Sequence, residues 1–222
     1  NQLGGIKAKE LLEIITQIVI NQQSESVAIL NEIDEELKKE DIYIIDETQI
    51  DAAQHAFIKQ YFIRVVSPAL VTIILNDSVV LPNLKDSAAY LAVRMLMPGD
   101  KKQFALIEIP KSVDRFVVLP KQGDKDFIIM VDDLLRHCLS DIFNIFEYRN
   151  ISAHMIKITR DGELDFESDL SKSFIEKISD SVKHRQVGEP VRFVYDKTIN
   201  KETLRFLMSK MGIDDTDSII PG

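Results

Sequence analysis

Four basic residues carry the phosphate-binding potential of this 222-residue sequence: Arg160, Lys183, Arg185 and Arg192. Guanidinium groups clasp phosphate oxygens through paired, charge-assisted hydrogen bonds, and an ammonium adds a point charge. Three of the four are close in sequence, and Arg160 is expected on a neighbouring strand. The competing reading is structural, with Arg160–Asp161 and Arg192–Glu189 ion pairs fixing loops. The histidines offer less. His55, His137, His154 and His184 form no HExxH, no cysteine–histidine pair at ligand spacing, and no two share a helical turn. His55 and His137 sit beside apolar residues in helical patterns, which predicts structural or surface imidazoles. His154, in the apolar run AHMIKI, is the better functional candidate, and His184 marks an exposed basic helix end. Asp132-Asp133 and Asp214-Asp215 could in principle hold magnesium, but a helix start and a terminal loop already account for acids there. There is no GxxxxGK[ST], GxGxxG or GxSxG, so no phosphate-cradling loop or nucleophile elbow is written. These residues predict no catalytic group, no cofactor-binding group and no metal site.

Composition narrows the classes. Hydrophobic residues make up 45% and charged residues 28%, enough apolar surface for a folded core. A net charge of −9 argues against a nucleic-acid partner, because neutralising a phosphate backbone needs a basic surface. The single cysteine, Cys138, excludes an internal disulfide framework and reads as a small core residue. No apolar run approaches the ~20 residues of a membrane span, so no integral membrane segment is expected. The start carries no secretory signal pattern and no Met, and the Pro221-Gly222 end falls on a turn signal. Both ends are expected to be cut points.

The elements that must position these side chains follow from periodicity. Residues 1–40 carry a helical repeat (Leu11, Leu12, Ile15, Ile18, Val19, Val27, Leu30, Ile33, Leu37). A helix that long either packs along a domain surface or offers a contact to a further domain or second copy. Ile42 to Ile45 reads as a strand. Thr48 is expected to cap the next helix, with Asp51 as its acidic partner, and that helix should stop before Pro68. Val71–Leu75, Ala89–Met95, Phe104–Ile109 and Phe116–Leu119 read as four strands, antiparallel neighbours by their short spacing. Phe127 to Val131 is a buried strand or a helix entry. Asp132 or Asp133 then caps one amphipathic helix through Leu134, Cys138, Ile142 and Phe146. Strand 153–159, helix 170–184, strand 191–195 and helix 201–211, capped by Asn200 and closed by Gly212, complete the chain. After Arg160 the Asp161-Gly162 pair allows a hairpin, though a strand end at Arg160 is preferred. A crossover in this last part makes the sheet mixed. The class is α+β: a largely antiparallel mixed sheet packed with helices, preceded by a long helix, with 41–222 as one domain.

Read in order, YLAVRM at Tyr90, FALIEIP at Phe104, RFVVLP at Arg115, DDLLRHCLSDIF at Asp132, ITRD at Ile158, EPVRFVY at Glu189 and DSIIPG at Asp217 resemble the middle, or head, domain of polyphosphate kinase. Residues 1–40 resemble the closing helix of that family's amino-terminal domain. The resemblance implies a cytoplasmic enzyme, with membrane association an option for the whole protein, that extends polyphosphate reversibly from Mg-ATP through a phosphorylated histidine in carboxy-terminal domains. It implies a scaffold and subunit-contact role for the middle domain, with homo-oligomer formation and with the flanking domains as partners. No position here matches the phosphorylated histidine or the nucleotide-holding residues, so the segment itself is expected to be inactive and to hold no cofactor. Polyphosphate guidance by Arg160, Lys183, Arg185 and Arg192 is the alternative, and a free-standing acidic adaptor a third reading.

Overall fold

A computed structural model describes residues 2–3, 6–76, 84–85, 88–160, 190–213 and 218–221. The expected helix 170–184, the Asp161-Gly162 turn and the Asp214-Asp215 pair lie outside them. Two strands, β1 (Gln2–Leu3) and β2 (Ile6–Lys7), pair antiparallel and lead into α1 (Ala8–Lys39). Its 32 residues extend about 48 Å. Ion pairs at helical spacing lace its end: Lys38 to Asp34 at 2.7 Å and to Glu35 at 2.8 Å, and Lys39 to Glu36 at 2.6 Å. Lysines in the last turn also suit the negative end of the helix dipole. Asp41, with φ at 58°, turns the chain out of the helix.

The chain divides into two compact units. The first, residues 21–76 and 90–155, holds a three-stranded sheet and most of a larger one. In the small sheet β3 (Ile42–Ile45) runs parallel to β8 (Asp126–Met130), which pairs antiparallel with β7 (Phe116–Val118). In the larger sheet β6 (Lys102–Glu108) lies between β4 (Val71–Leu75) and β5 (Ala89–Leu96), antiparallel to both, and β9 (Asn150–Arg160) follows β5. Tyr90, Leu91, Ala92, Val93 and Met95 are all buried, so both faces of β5 are covered. The run at Phe116 therefore departs from expectation: it joins the small sheet through β8, not the antiparallel neighbours before it.

Two helical boundaries also differ. Asp51, not Thr48, caps α2 (Ala52–Tyr61): its carboxylate accepts the Gln54 N–H at 2.9 Å while the Gln54 side chain accepts the Asp51 N–H at 3.1 Å. Thr48 is spent one turn earlier, donating its N–H and hydroxyl to Asp46. α2 itself ends before Pro68, at Tyr61, but helical turns of other kinds carry on past that residue. A π turn at Phe62–Val66 passes into a 3₁₀ turn at Ser67–Ala69, and Pro68 sits in the first turn of that piece, where its missing N–H costs nothing. The second difference follows β8, which runs directly into α3 (Val131–His137), so no loop is left for a capping acid. The Val131 N–H donates to the Arg115 carbonyl, and Asp132 and Asp133 lie inside the first turn. The expected single helix is broken at Cys138 (φ −94°, ψ 10°) before α4 (Leu139–Ile142). With that break Leu134, Leu135, Cys138, Leu139 and Phe143 are all buried.

The second unit gathers residues 1–20, 77–89 and 156–222. Here β10 (Pro190–Tyr195) is antiparallel to β9 and parallel to β11 (Ser218–Pro221), and α5 (Lys201–Met211) makes the crossover. The sheet is mixed and the class is α+β. The expected caps of α5 are present: Asn200 Oδ1 accepts the Glu202 N–H at 2.9 Å, and Gly212 closes the helix at φ 67°, where a Cβ would be strained. Thr203, Leu207 and Met211, four residues apart, form the buried face. Among the described residues, no helix is long and apolar enough to cross a membrane.

Candidate functional site

The four predicted phosphate contacts separate into two placed and two not. Lys183 and Arg185 lie outside the described residues. Arg160 closes β9 and is the backbone partner of Pro190; Arg192 stands on β10 opposite Thr159. The two arginines are thus on adjacent strands, with a register shift between Pro190 and Arg192. Arg192 is exposed, and so is Lys157 two positions before Thr159, while Ile156, Ile158 and Phe193 are buried. Strand alternation therefore puts Arg192 and Lys157 on one open face of the second unit. Lys157 escaped notice in the sequence, although the alternation in MIKIT was the signal for it.

The first unit assembles a different constellation. His55 on α2 and His137 on α3 meet with Nδ1 and Nε2 2.7 Å apart and rings edge to face at 4.9 Å. One turn further along each side, Lys59 donates to Asp141. Burial, then the facing His55, hold His137 below the ordinary imidazole range; Lys59 adds to this, against a bond to the Glu47 backbone and the charge of Asp141. Of the other two histidines, His154 is half-buried on β9 and His184 lies outside the described residues.

A second polar group adjoins it on α3. Arg136 donates to Asp133 and to the Ala153 carbonyl, and its Nη1 lies 3.4 Å from Asp132. Arg115 reaches Asp132 at 3.8 Å. Burial, and next the Asp132 carboxylate, push Asp133 up to about 7; Arg136 pulls it down and Glu47 adds to the rise. Asp133 also borders a cleft of about 300 Å³ with Asp34 and Lys38 of α1, Tyr43, Asp46 and Gln49. Three carboxyl groups against one ammonium make that cleft unsuited to a phosphate chain. Arg136 and Arg115 pair with the Asp132-Asp133 carboxylates, and no set of His, Cys, Asp or Glu converges as a metal site among the described residues. Cys138 is buried, and that burial pushes its thiol up to about 12, far from a nucleophile's range.

Comparison with known proteins agrees with the fold. Residues 53–222 match the family model of the polyphosphate kinase middle domain. The polyphosphate kinases of Vibrio parahaemolyticus and Vibrio cholerae are 35% and 36% identical to the chain over 99% of it, and that of Escherichia coli K12 is 35% identical over 97%. In each case the match covers 32% of the relative, so the chain spans about a third of their length. The crystal structure of polyphosphate kinase from Porphyromonas gingivalis superposes with a TM-score of 0.76 at 24% identity, covering 96% of this chain and 30% of that one. That likeness concerns the fold.

Proposed function

This chain belongs to the polyphosphate kinase family, matching its middle domain, and on that premise we propose that it is the scaffold and subunit-contact segment of an enzyme that moves the terminal phosphoryl group of ATP reversibly onto polyphosphate. Magnesium, the nucleotide site and the phosphorylated histidine are supplied by flanking domains, in a homo-oligomer working in the cytoplasm. The observation supporting a contact role is α1. Ile14, Ile15, Ile18, Val27, Ile29, Leu30 and Ile33 are 45–62% exposed on it, more large apolar surface than a solvated helix needs. Phosphoryl transfer relies on positioned metal and cationic groups around the transferred phosphate. Residues 1–222 incubated alone with Mg-ATP should therefore give neither polyphosphate nor a phosphorylated protein, while the full-length chain gives both; activity of the segment alone would overturn the assignment.

A second reading is favoured by the open face that Arg192 and Lys157 share. There the middle domain would guide polyphosphate through charge. Binding of polyphosphate to the full-length chain should then weaken with salt, and weaken again in Arg160→Ala/Arg192→Ala. Unchanged binding in that double variant removes this reading.

A further inference from the structure

We propose that the contact between α2 and the α3–α4 segment is an acid-sensitive clasp, closed by one proton held between His55 and His137 and opened when both imidazoles carry a charge. The geometry sets the logic. At 2.7 Å the Nδ1 of His55 and the Nε2 of His137 make a hydrogen bond, which needs an N–H on one ring and a lone pair on the other. A neutral pair satisfies that, and so does a pair with a single positive charge. A doubly charged pair cannot, because both facing nitrogens then carry hydrogen and two cations stand in contact.

His55 is exposed and His137 half-buried, so water screens the second charge in part, and the neighbouring side chains add little to that. On α2 the next turn presents Lys59, a further cation, which engages Oδ1 of Asp141 on α4. Asp141 Oδ2 makes no hydrogen bond among the described residues, and its charge favours a protonated His137 less than burial, His55 and Lys59 oppose it. The turn before presents Asp51, occupied by the Gln54 N–H and by the Gln122 side chain. The loop after β3 offers His137 only the Glu47 backbone, since the Glu47 carboxyl lies against Asp133. On α3, Arg136 turns towards Asp132 and Asp133. The closed state therefore takes the second proton less readily than separated helices do. His137, held low by burial first and by His55 next, agrees in sign. The clasp is fully favoured above the ordinary imidazole value of about 6.5 and loses ground as pH falls through it. Asp133 acts the other way. Its raised value means the closed form gains a proton as pH falls through about 7, which masks part of the histidine effect.

The test follows amide hydrogen exchange in peptides spanning α2 of the full-length chain between about pH 5 and 8, corrected for intrinsic rates. With Asp133→Asn removing the opposing proton, protection of α2 should fall by up to about tenfold per pH unit below about 6.5, one proton being taken up on opening. Adding His55→Gln should flatten that limb, while β6 stays protected throughout as the reference. A flat profile in Asp133→Asn, or an undiminished acid limb after His55→Gln, overturns the clasp. If Asp133→Asn abolishes protection of β6 as well, the same comparison is made between the native chain and His55→Gln alone. Profiles that then coincide refute the proposal, and a shallower acid limb in the variant supports it.

Discussion

The contact role of α1 is best tested on the three apolar residues clustered in its distal half. Ile29, Leu30 and Ile33 keep 50%, 62% and 48% of their surface in solvent. Burying one such side chain completely is worth about 1.5–3 kcal/mol, so covering the exposed half of each contributes ~1 kcal/mol, or ~3 kcal/mol for the three. Replacing all three with glutamine removes that gain without touching the core, and glutamine is no worse a helix former than isoleucine. The expected result is a self-association constant of the full-length chain weakened by at least roughly 150-fold, since each copy loses its three side chains, read by sedimentation over a concentration series. The melting temperature of residues 1–222 alone serves as the control, and it should hold or rise slightly. Self-association within threefold of the native value would refute the reasoning. So would a melting temperature lowered by more than about 3 °C, the mark of ~1 kcal/mol in a chain this size, since the side chains would then be packing within the segment.

Asn200→Ala should cost about 1 kcal/mol through the lost Glu202 N–H acceptor, and Asn200→Ser only a few tenths, as read from urea denaturation. On the same helix Leu207→Ala, fully buried, should cost about 2–5 kcal/mol. Cys138 should resist a thiol reagent near pH 8 in the folded chain and react once the chain is unfolded; fast labelling of the native form would contradict its burial. Because Asp133 is raised from 3.8 to about 7, its stabilising share is present in full below 3.8 and is lost as pH rises through about 7. Asp133→Asn should therefore gain on the native chain in urea midpoint between about pH 5 and 8, and parallel midpoints across that range would remove Asp133 as the cause.

Where the sequence resolved the fold, one local signal sufficed. Asn200 and Gly212 bracket a run whose apolar residues recur every four positions, and Asn200 stands directly before that run while Asp196 takes the Thr198 N–H and hydroxyl. The cap of α2 was ambiguous because Asp46, Thr48 and Asp51 all carry side chains able to accept an N–H. Asp46 claims Thr48, and the choice of Asp51 follows only once that turn has formed. The break at Cys138 was hidden for the opposite reason. Leu134, Leu135, Cys138, Leu139 and Ile142 continue one helical period without interruption, so the kink lies in tertiary packing and leaves no mark on periodicity. Phe116 to Val118 formed a strand as expected but paired elsewhere, since short spacing sets which strands can be neighbours and not which of them share a sheet.

The histidine clasp shows where local reasoning stops. His55 and Lys59 lie four apart on α2, and His137 and Asp141 lie four apart across α3 and α4, so each pair forms one side of its element. The separation from His55 to His137 and from Lys59 to Asp141 is the same 82 residues. Two like-spaced rungs therefore join the elements in one register, an imidazole pair beside an ion pair. Each rung constrains the other: a slip of one residue would remove both bonds at once. Either half read alone looks like a polar edge on an amphipathic helix. Only the parallel pairing of β3 with β8, which delivers the chain to α2 and to α3 from adjacent strands, turns two ordinary edges into one proton-linked contact.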